Sequence, residues 1–190
     1  MMENKILELL KDSGAFLEGH FLLTSGKHSN IYIEKFRLME SPRHLDTVCQ
    51  MMSSKFDKDE VDIVLGAAIG GILLSSGVAE YLDKKSIFTE RIKEKMELRR
   101  GFEIKENSRV LIVEDIVSTG GSIFELIDVV KKNNANIIGV TSIVHRSIED
   151  IDFGCNYKPL LHHPVQSWKE EDVPDWLSKI PLTVHGRSGK

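Results

Sequence analysis

The chain has 190 residues, enough for one domain or one domain with a small appendage, and its 41% hydrophobic and 28% charged residues suit a packed globular core. Wholesale disorder is excluded by that balance, and a formal charge of -4 argues against a general nucleic-acid binder, which is normally basic. Cys49 and Cys155 lie far apart and outside any metal-ligand spacing, so they imply neither a disulfide framework nor a zinc site and favour a reducing compartment. The N-terminus carries Glu3, Lys5, Glu8 and Lys11 and lacks the apolar run of a signal peptide. The longest charge-free window, Ile63 to Ala79, holds four glycines and two serines and falls short of the roughly 20 apolar residues of a bilayer span. A cytoplasmic protein without membrane or nucleic-acid partners is expected.

In chain order, Ile6, Leu9 and Leu10 among charges predict a short amphipathic helix stopped at Ser13-Gly14. A turn-rich stretch from Thr24 to Asn30 follows. Ser41-Pro42 supplies an N-cap and first helical residue, and Leu45, Val48, Cys49, Met52 and Phe56 keep helical spacing. Val61 to Leu65 predicts a buried strand ending in Gly66, and after a glycine-rich turn Ile72 to Leu82 reads as helix. Ser86 to Thr89 and Met96 to Ile104 read as extended, with Glu90 to Lys95 an exposed loop or hairpin between them. Arg109 to Val113 is a further strand, and a helix through about Lys132 follows, with Ser122 and Glu125 spaced as a capping box. Asn136 to Val144 is the next strand. Alternating apolar strands and helices predict an α/β fold with a mostly parallel central sheet flanked by helices. The proline-rich tail from Tyr157 adds a strand or covers part of the core.

Open parallel sheets bind ligands beyond the carboxyl ends of their strands. The stretch Glu114-Asp115-Ile116-Val117-Ser118-Thr119-Gly120-Gly121-Ser122 sits at such an end. Backbone N–H groups at a helix start, with glycines that admit close approach, make a phosphate cradle, and the hydroxyls of Ser118, Thr119 and Ser122 add donors. Two carboxylates beside it suit sugar hydroxyls or a hydrated Mg²⁺, so a ligand carrying both a phosphate and a ribose fits both halves. A polar strand-to-helix turn alone has no need of all these residue types together. The spacing matches neither the P-loop nor the dinucleotide fingerprint.

Residues Val110 to Ser122 resemble the phosphoribosyl-pyrophosphate (PRPP) motif of phosphoribosyltransferases. Gly19 to Tyr32 resembles the N-terminal signature of the orotate enzymes in that family, Gly66-Ala67-Ala68-Ile69-Gly70-Gly71-Ile72 their pyrophosphate loop, and Glu90-Arg91 through Phe102 the region of their mobile catalytic loop. The chain departs from the family pattern at Ala67 (commonly proline), Glu114 (often Asp), Thr24 (often Lys) and Ile92, where a second basic residue is common. The resemblance implies a phosphoribosyltransferase-type fold over residues 1–190 with a small hood from about 1–40 and 155–190. It implies PRPP contacts from Ala67, Ala68, Gly70, Gly71, Arg91, Lys95, Glu114, Asp115, Ser118, Thr119, Gly120, Gly121 and Ser122. It places orotate at Lys27, Tyr32, Ser118 and Arg146, and catalysis at Lys95, Arg91, Asp115 and Glu114, with Lys93 a neighbour that competes with Lys95. Mg²⁺ is implied as cofactor, held mainly by PRPP and reached through water by Glu114 and Asp115 rather than by direct ligation. A homodimer whose mobile loop reaches the neighbouring site is also implied.

Chemistry supports two of these assignments independently. Lys27 is flanked by Ser-Gly and His-Ser donors suited to a carboxylated base, and Arg146 ends a strand at the ligand edge with a fork that matches carboxylate. The rival readings are a purine-type phosphoribosyltransferase and a non-catalytic regulator that senses PRPP or nucleotides. A neutral purine gives no reason for cations at both ends of the base, and the loop cations Arg91, Lys93 and Lys95 are retained.

Overall fold

The structure, a computed structural model, describes residues 2–185. Met1 and residues 186–190, the end of the stretch expected in the hood, lie outside the described residues. The elements are α1 (Met2–Asp12), β1 (Phe16–Leu22), β2 (His28–Ile33), α2 (Lys35–Met39), α3 (Pro42–Ser53), β3 (Ile63–Ala67), α4 (Gly70–Leu82), β4 (Lys85–Ile92), β5 (Lys95–Leu98), β6 (Arg109–Val117), α5 (Gly121–Lys132), β7 (Asn136–His145), β8 (Leu161–His162), β9 (Ser167–Trp168), α6 (Asp175–Ser178) and β10 (Leu182–Val184).

The main sheet has the order β5-β4-β3-β6-β7-β8, parallel throughout except for the antiparallel β4–β5 pair. Its central strands β3 and β6 are almost wholly buried, which is why they read as apolar runs rather than alternating ones. One face packs Leu74, Val78 and Leu82 of α4 and Val48 and Met52 of α3 against Val64 and Leu111. The other packs Ile123, Leu126 and Val130 of α5 against Leu65, Val110 and Ile112. Two covered faces make the layered α/β architecture expected from the alternation of strands and helices. A second sheet, β10-β1-β2-β9, joins the N-terminal hairpin to two strands of the tail. The tail therefore extends both edges of this sheet and, through β8, one edge of the main sheet. Among the described residues no helix is long and apolar enough to cross a membrane.

Several boundaries move, each for a local reason. Helix α4 starts at Gly70, two residues before the expected Ile72, because the helical turn is already made by the glycine pair. Strand β6 runs on to Val117, so Glu114 and Asp115 lie within the strand and not after it. The extended stretch expected over Met96 to Ile104 ends at Leu98, since Arg100 and Gly101 both take positive φ (60° and 72°) and cannot continue a ladder. The capping box does not form: α5 is entered through Gly120, Ser122 lies inside its first turn, and Glu125 is engaged elsewhere. Cys49 is buried between α3 and α4, and burial pushes its thiol up to about 12, so it packs as a small apolar group.

Candidate active site

The strand end of β6 carries two buried acids, Glu114 and Asp115, at 8% and 4% exposure. Burying carboxylates is costly unless each oxygen finds a donor. Glu114 Oε1 accepts the N–H of Asp115 at 2.9 Å, and Asp115 Oδ1 accepts the N–H of Ile116 at 2.7 Å. Asp115 Oδ2 meets the ammonium of Lys35 at 2.6 Å. Burial first, and then the charge of Asp115, push Glu114 well above the usual carboxylate range, while its backbone hydrogen bond and Lys35 oppose the rise. Successive residues of a strand face opposite sides, so the acids serve different surroundings. Glu114 lines a pocket on the α5 side, whereas Asp115 faces the start of α4.

That pocket, about 330 Å³, is walled by Arg91, Glu114, Ile116 and Glu125 and by the continuous run Val117 to Ile123. The run crosses from β6 into α5 through Gly120, whose φ of 77° lies in the left-handed region and whose missing Cβ leaves room for the Phe153 ring. No side chain caps α5 among the described residues, so its first-turn amides remain available to an anion. Arg91 reaches the pocket from β4, with Nη2 on Glu125 at 2.8 Å and Nη1 on the carbonyl of Glu94 at 2.8 Å.

The charged stretch Glu90 to Lys95 is a tight hairpin: β4 and β5 are joined by Lys93 and Glu94 alone, at φ of 45° and 68°. Directly paired residues of an antiparallel ladder share a face. Arg91 pairs with Met96, which packs against the α5 core, while Ile92 pairs with Lys95 on the opposite face. Arg91 and Lys95, four residues apart and expected at one ligand, are thus separated: Arg91 lines the pocket and Lys95 does not. The hairpin also packs on its own chain, with Arg100 Nε bound to Glu90 at 2.6 Å and Met96 and Leu98 against the core.

The glycine-rich turn after β3 lies beside the acids. Ala67 is buried at the strand end, Ala68 donates its N–H to the carbonyl of Thr89 at 2.9 Å, and Gly70 and Gly71 begin α4. A Cβ at Gly70 would run into the Asp115 carboxylate, and one at Gly66 would run into the backbone of Gly71. The expected pyrophosphate loop and the acid pair are therefore neighbours in space.

The expected base-binding residues divide. Tyr32 on β2 and Arg146, just past β7, lie near enough that their charges influence each other. Burial lowers the Arg146 guanidinium somewhat and Tyr32 opposes this; among the described residues no carboxylate pairs with it. His185, from the tail, stacks on the Tyr32 ring at 5.0 Å and 22°. Lys27 lies in the exposed turn between β1 and β2, where its carbonyl accepts the N–H of Leu23 at 2.8 Å, and it lines neither this pocket nor the acid pair. Lys35, Glu125 and His185 were missed by sequence reasoning. Lys35 left a faint signal, a cation three residues after Tyr32, whereas nothing in the order of the chain ties His185 to β2.

A parallel sheet whose strand ends bring together an acid pair, an uncapped helix start and a second glycine turn defines a class, and the phosphoribosyl transferase domain family matches residues 37–176. Orotate phosphoribosyltransferase from a Thermoanaerobacter species is 41% identical over 98% of both chains, and that of Thermotoga maritima is 42% identical over 97% of this chain and 98% of its own. The crystal structure of orotate phosphoribosyltransferase from Aeropyrum pernix, at 24% identity, superposes with a TM-score of 0.70 over 83% of this chain and 93% of its own, a likeness of fold. The chain belongs to the orotate phosphoribosyltransferases of that family.

Proposed function

We propose that this protein transfers the 5-phosphoribosyl group of PRPP to orotate, releasing orotidine 5′-monophosphate and pyrophosphate, a step of de novo pyrimidine nucleotide synthesis. The observation that carries the reading is the single pocket in which Glu114 meets the uncapped start of α5 with its Ser118 to Ser122 loop. In this reading the loop holds the 5-phosphate of PRPP, Glu114 and Asp115 hold the ribose hydroxyls, and Ala67, Ala68, Gly70 and Gly71 receive the diphosphate. Arg146, which pairs with no carboxylate among the described residues, takes the orotate carboxylate beside Tyr32, with Ser118 and Lys27 as further donors.

The reaction breaks the ribose C1–O bond and forms a C1–N bond to the base. Positive charge grows at C1, so carboxylates next to the ribose stabilise the transition state, as in glycoside chemistry. No protein nucleophile is needed. Among the described residues no group of three or more His, Cys, Asp or Glu side chains is placed to hold a metal. The acid pair suits a hydrated cation arriving on a diphosphate, because Mg²⁺ keeps several of its waters. Mg²⁺ carried in with PRPP would supply neutralising charge for the diphosphate, and Glu114 and Asp115 are the residues that would meet it, through water.

A homodimer completes the reading. Ile69, Leu73, Tyr81 and Phe36, on or beside α4 and α2, are large apolar residues left 41–70% exposed, surface that a second copy would cover. Arg91 serves its own pocket, and Lys95, on the other face of the hairpin, serves the neighbour's diphosphate. A cytoplasmic setting agrees with the two free thiols.

Incubation with PRPP, Mg²⁺ and each of orotate, adenine, guanine, hypoxanthine and uracil tests the reading. Orotate consumption with pyrophosphate release is expected. Turnover of a purine in its place, or of none of the five, rejects it.

A further inference from the structure

Two adjacent buried carboxylates are a poor neighbour for a ligand that carries a diphosphate and a phosphate, since like charges repel strongly where water is scarce. Lys35 answers that charge. Its ammonium sits 2.6 Å from Asp115 Oδ2, with side-chain exposures of 32% for the lysine and 5% for the aspartate. The second oxygen of Asp115 is tied to its own strand through the N–H of Ile116, and the backbone of Gly70 closes against the carboxylate from the start of α4. Both oxygens are therefore oriented, one by β6 and one by Lys35. Lys35 opens α2 directly behind β2 and lies 5.5 Å from the Phe36 ring, so the segment that presents Tyr32 also presents this cation.

We propose that Lys35 is a positioning residue for PRPP: its ammonium holds the Asp115 carboxylate against Gly70 and offsets part of its charge on that side, so that a diphosphate can settle at the Gly70-Gly71 turn beside it. The inference rests on the functional reading above, because it needs the ribose and diphosphate at this place. It assigns Lys35 no contact with the base and no part in bond breaking. A surface ion pair of ordinary kind would contribute little, whereas this pair has one partner almost fully removed from water.

The test is PRPP binding by calorimetry, with Mg²⁺ and no base present, on wild type, K35M, K35R, D115N and the K35M/D115N double variant, with a thermal melt of each. K35M is expected to weaken PRPP binding about tenfold or more, and K35R to recover to within about threefold, since the charge is restored at similar reach. In the D115N background K35M is expected to cost less than about threefold more, because two groups that act through one another are not additive. In steady-state assays K35M is expected to raise the KM for PRPP while leaving that for orotate within about twofold, the mark of a lost binding interaction confined to one substrate.

Wild-type PRPP affinity in K35M overturns the inference. So does an equal loss in the D115N background, which would mean that Lys35 acts independently of Asp115. A loss that follows a fallen melting temperature and is not recovered by K35R overturns it too, by making the residue structural. If wild type itself binds no PRPP, the functional reading fails first; if wild type and K35M bind it equally, only the role of Lys35 fails.

Discussion

Glu114 keeps its proton to higher pH than an exposed glutamate does, because burial and the neighbouring Asp115 both disfavour its charged form. Its folded-state value is raised by burial and by Asp115 above the ordinary 4.5, so the native protein binds more protons than the unfolded chain over the interval between the two values. Stability from this group is full below the ordinary value and declines as pH climbs toward the raised one. Melting temperatures measured across that range should fall with rising pH in wild type, and Glu114→Gln should flatten the slope; an unchanged slope would show that Glu114 titrates normally. Arg146 makes a second residue-level prediction. A charge-assisted pair with a carboxylate is worth roughly 1.5–3 kcal/mol, so Arg146→Ala should raise the KM for orotate by about ten- to a hundredfold and leave that for PRPP nearly unchanged. Equal effects on both substrates would remove Arg146 from the base site.

At the scale of elements, the starts of α4 and α5 border the candidate site, and both helices begin on glycine. In an ordinary helix Gly→Ala is stabilising by about 0.5–1 kcal/mol. At Gly70 the added methyl would collide with the Asp115 carboxylate, so Gly70→Ala should weaken PRPP use about tenfold or more while giving none of the usual gain in stability. A variant with wild-type kinetics and a higher melting temperature would show that Asp115 moves aside at no cost. The β4–β5 hairpin makes the complementary case. Its charge and lack of glycine suggest a solvated loop, yet Arg91 is drawn to Glu125 and Met96 and Leu98 are packed on one face, while on the other Arg100 holds Glu90 and Lys95 stays exposed.

For the whole molecule, the division of that hairpin between two faces predicts two different outcomes of subunit mixing. Combining Lys95→Ala with Asp115→Asn should restore activity toward about a quarter of wild type, because half of randomly paired dimers then contain one intact site of two. Combining Arg91→Ala with Asp115→Asn should restore nothing, since Arg91 and the Glu114 pocket belong to one chain. Verified exchange without recovery in the first mixture would place Lys95 in its own subunit's site, and recovery in the second would place Arg91 in its neighbour's.

The linear order of residues determined what is local. Apolar runs at Val61 to Leu65 and Arg109 to Val113 announced the buried parallel strands, because strands covered on both faces have no polar side to alternate with. The Glu114 to Ser122 string announced an acid pair beside a glycine-led helix start, since every part of that arrangement comes from consecutive backbone and side chains. What depends on distant packing was decided only by the fold. The ion pair of Lys35 with Asp115, the closure of Gly70 on the same carboxylate, the grip of Glu125 on Arg91 and the stacking of His185 on Tyr32 join segments far apart in the chain. The separation of Arg91 from Lys95 was hidden for a related reason. A sequence shows that both are basic and four residues apart, but which face each takes is set by where a two-residue turn is inserted, and a ladder register is a property of the pair of strands.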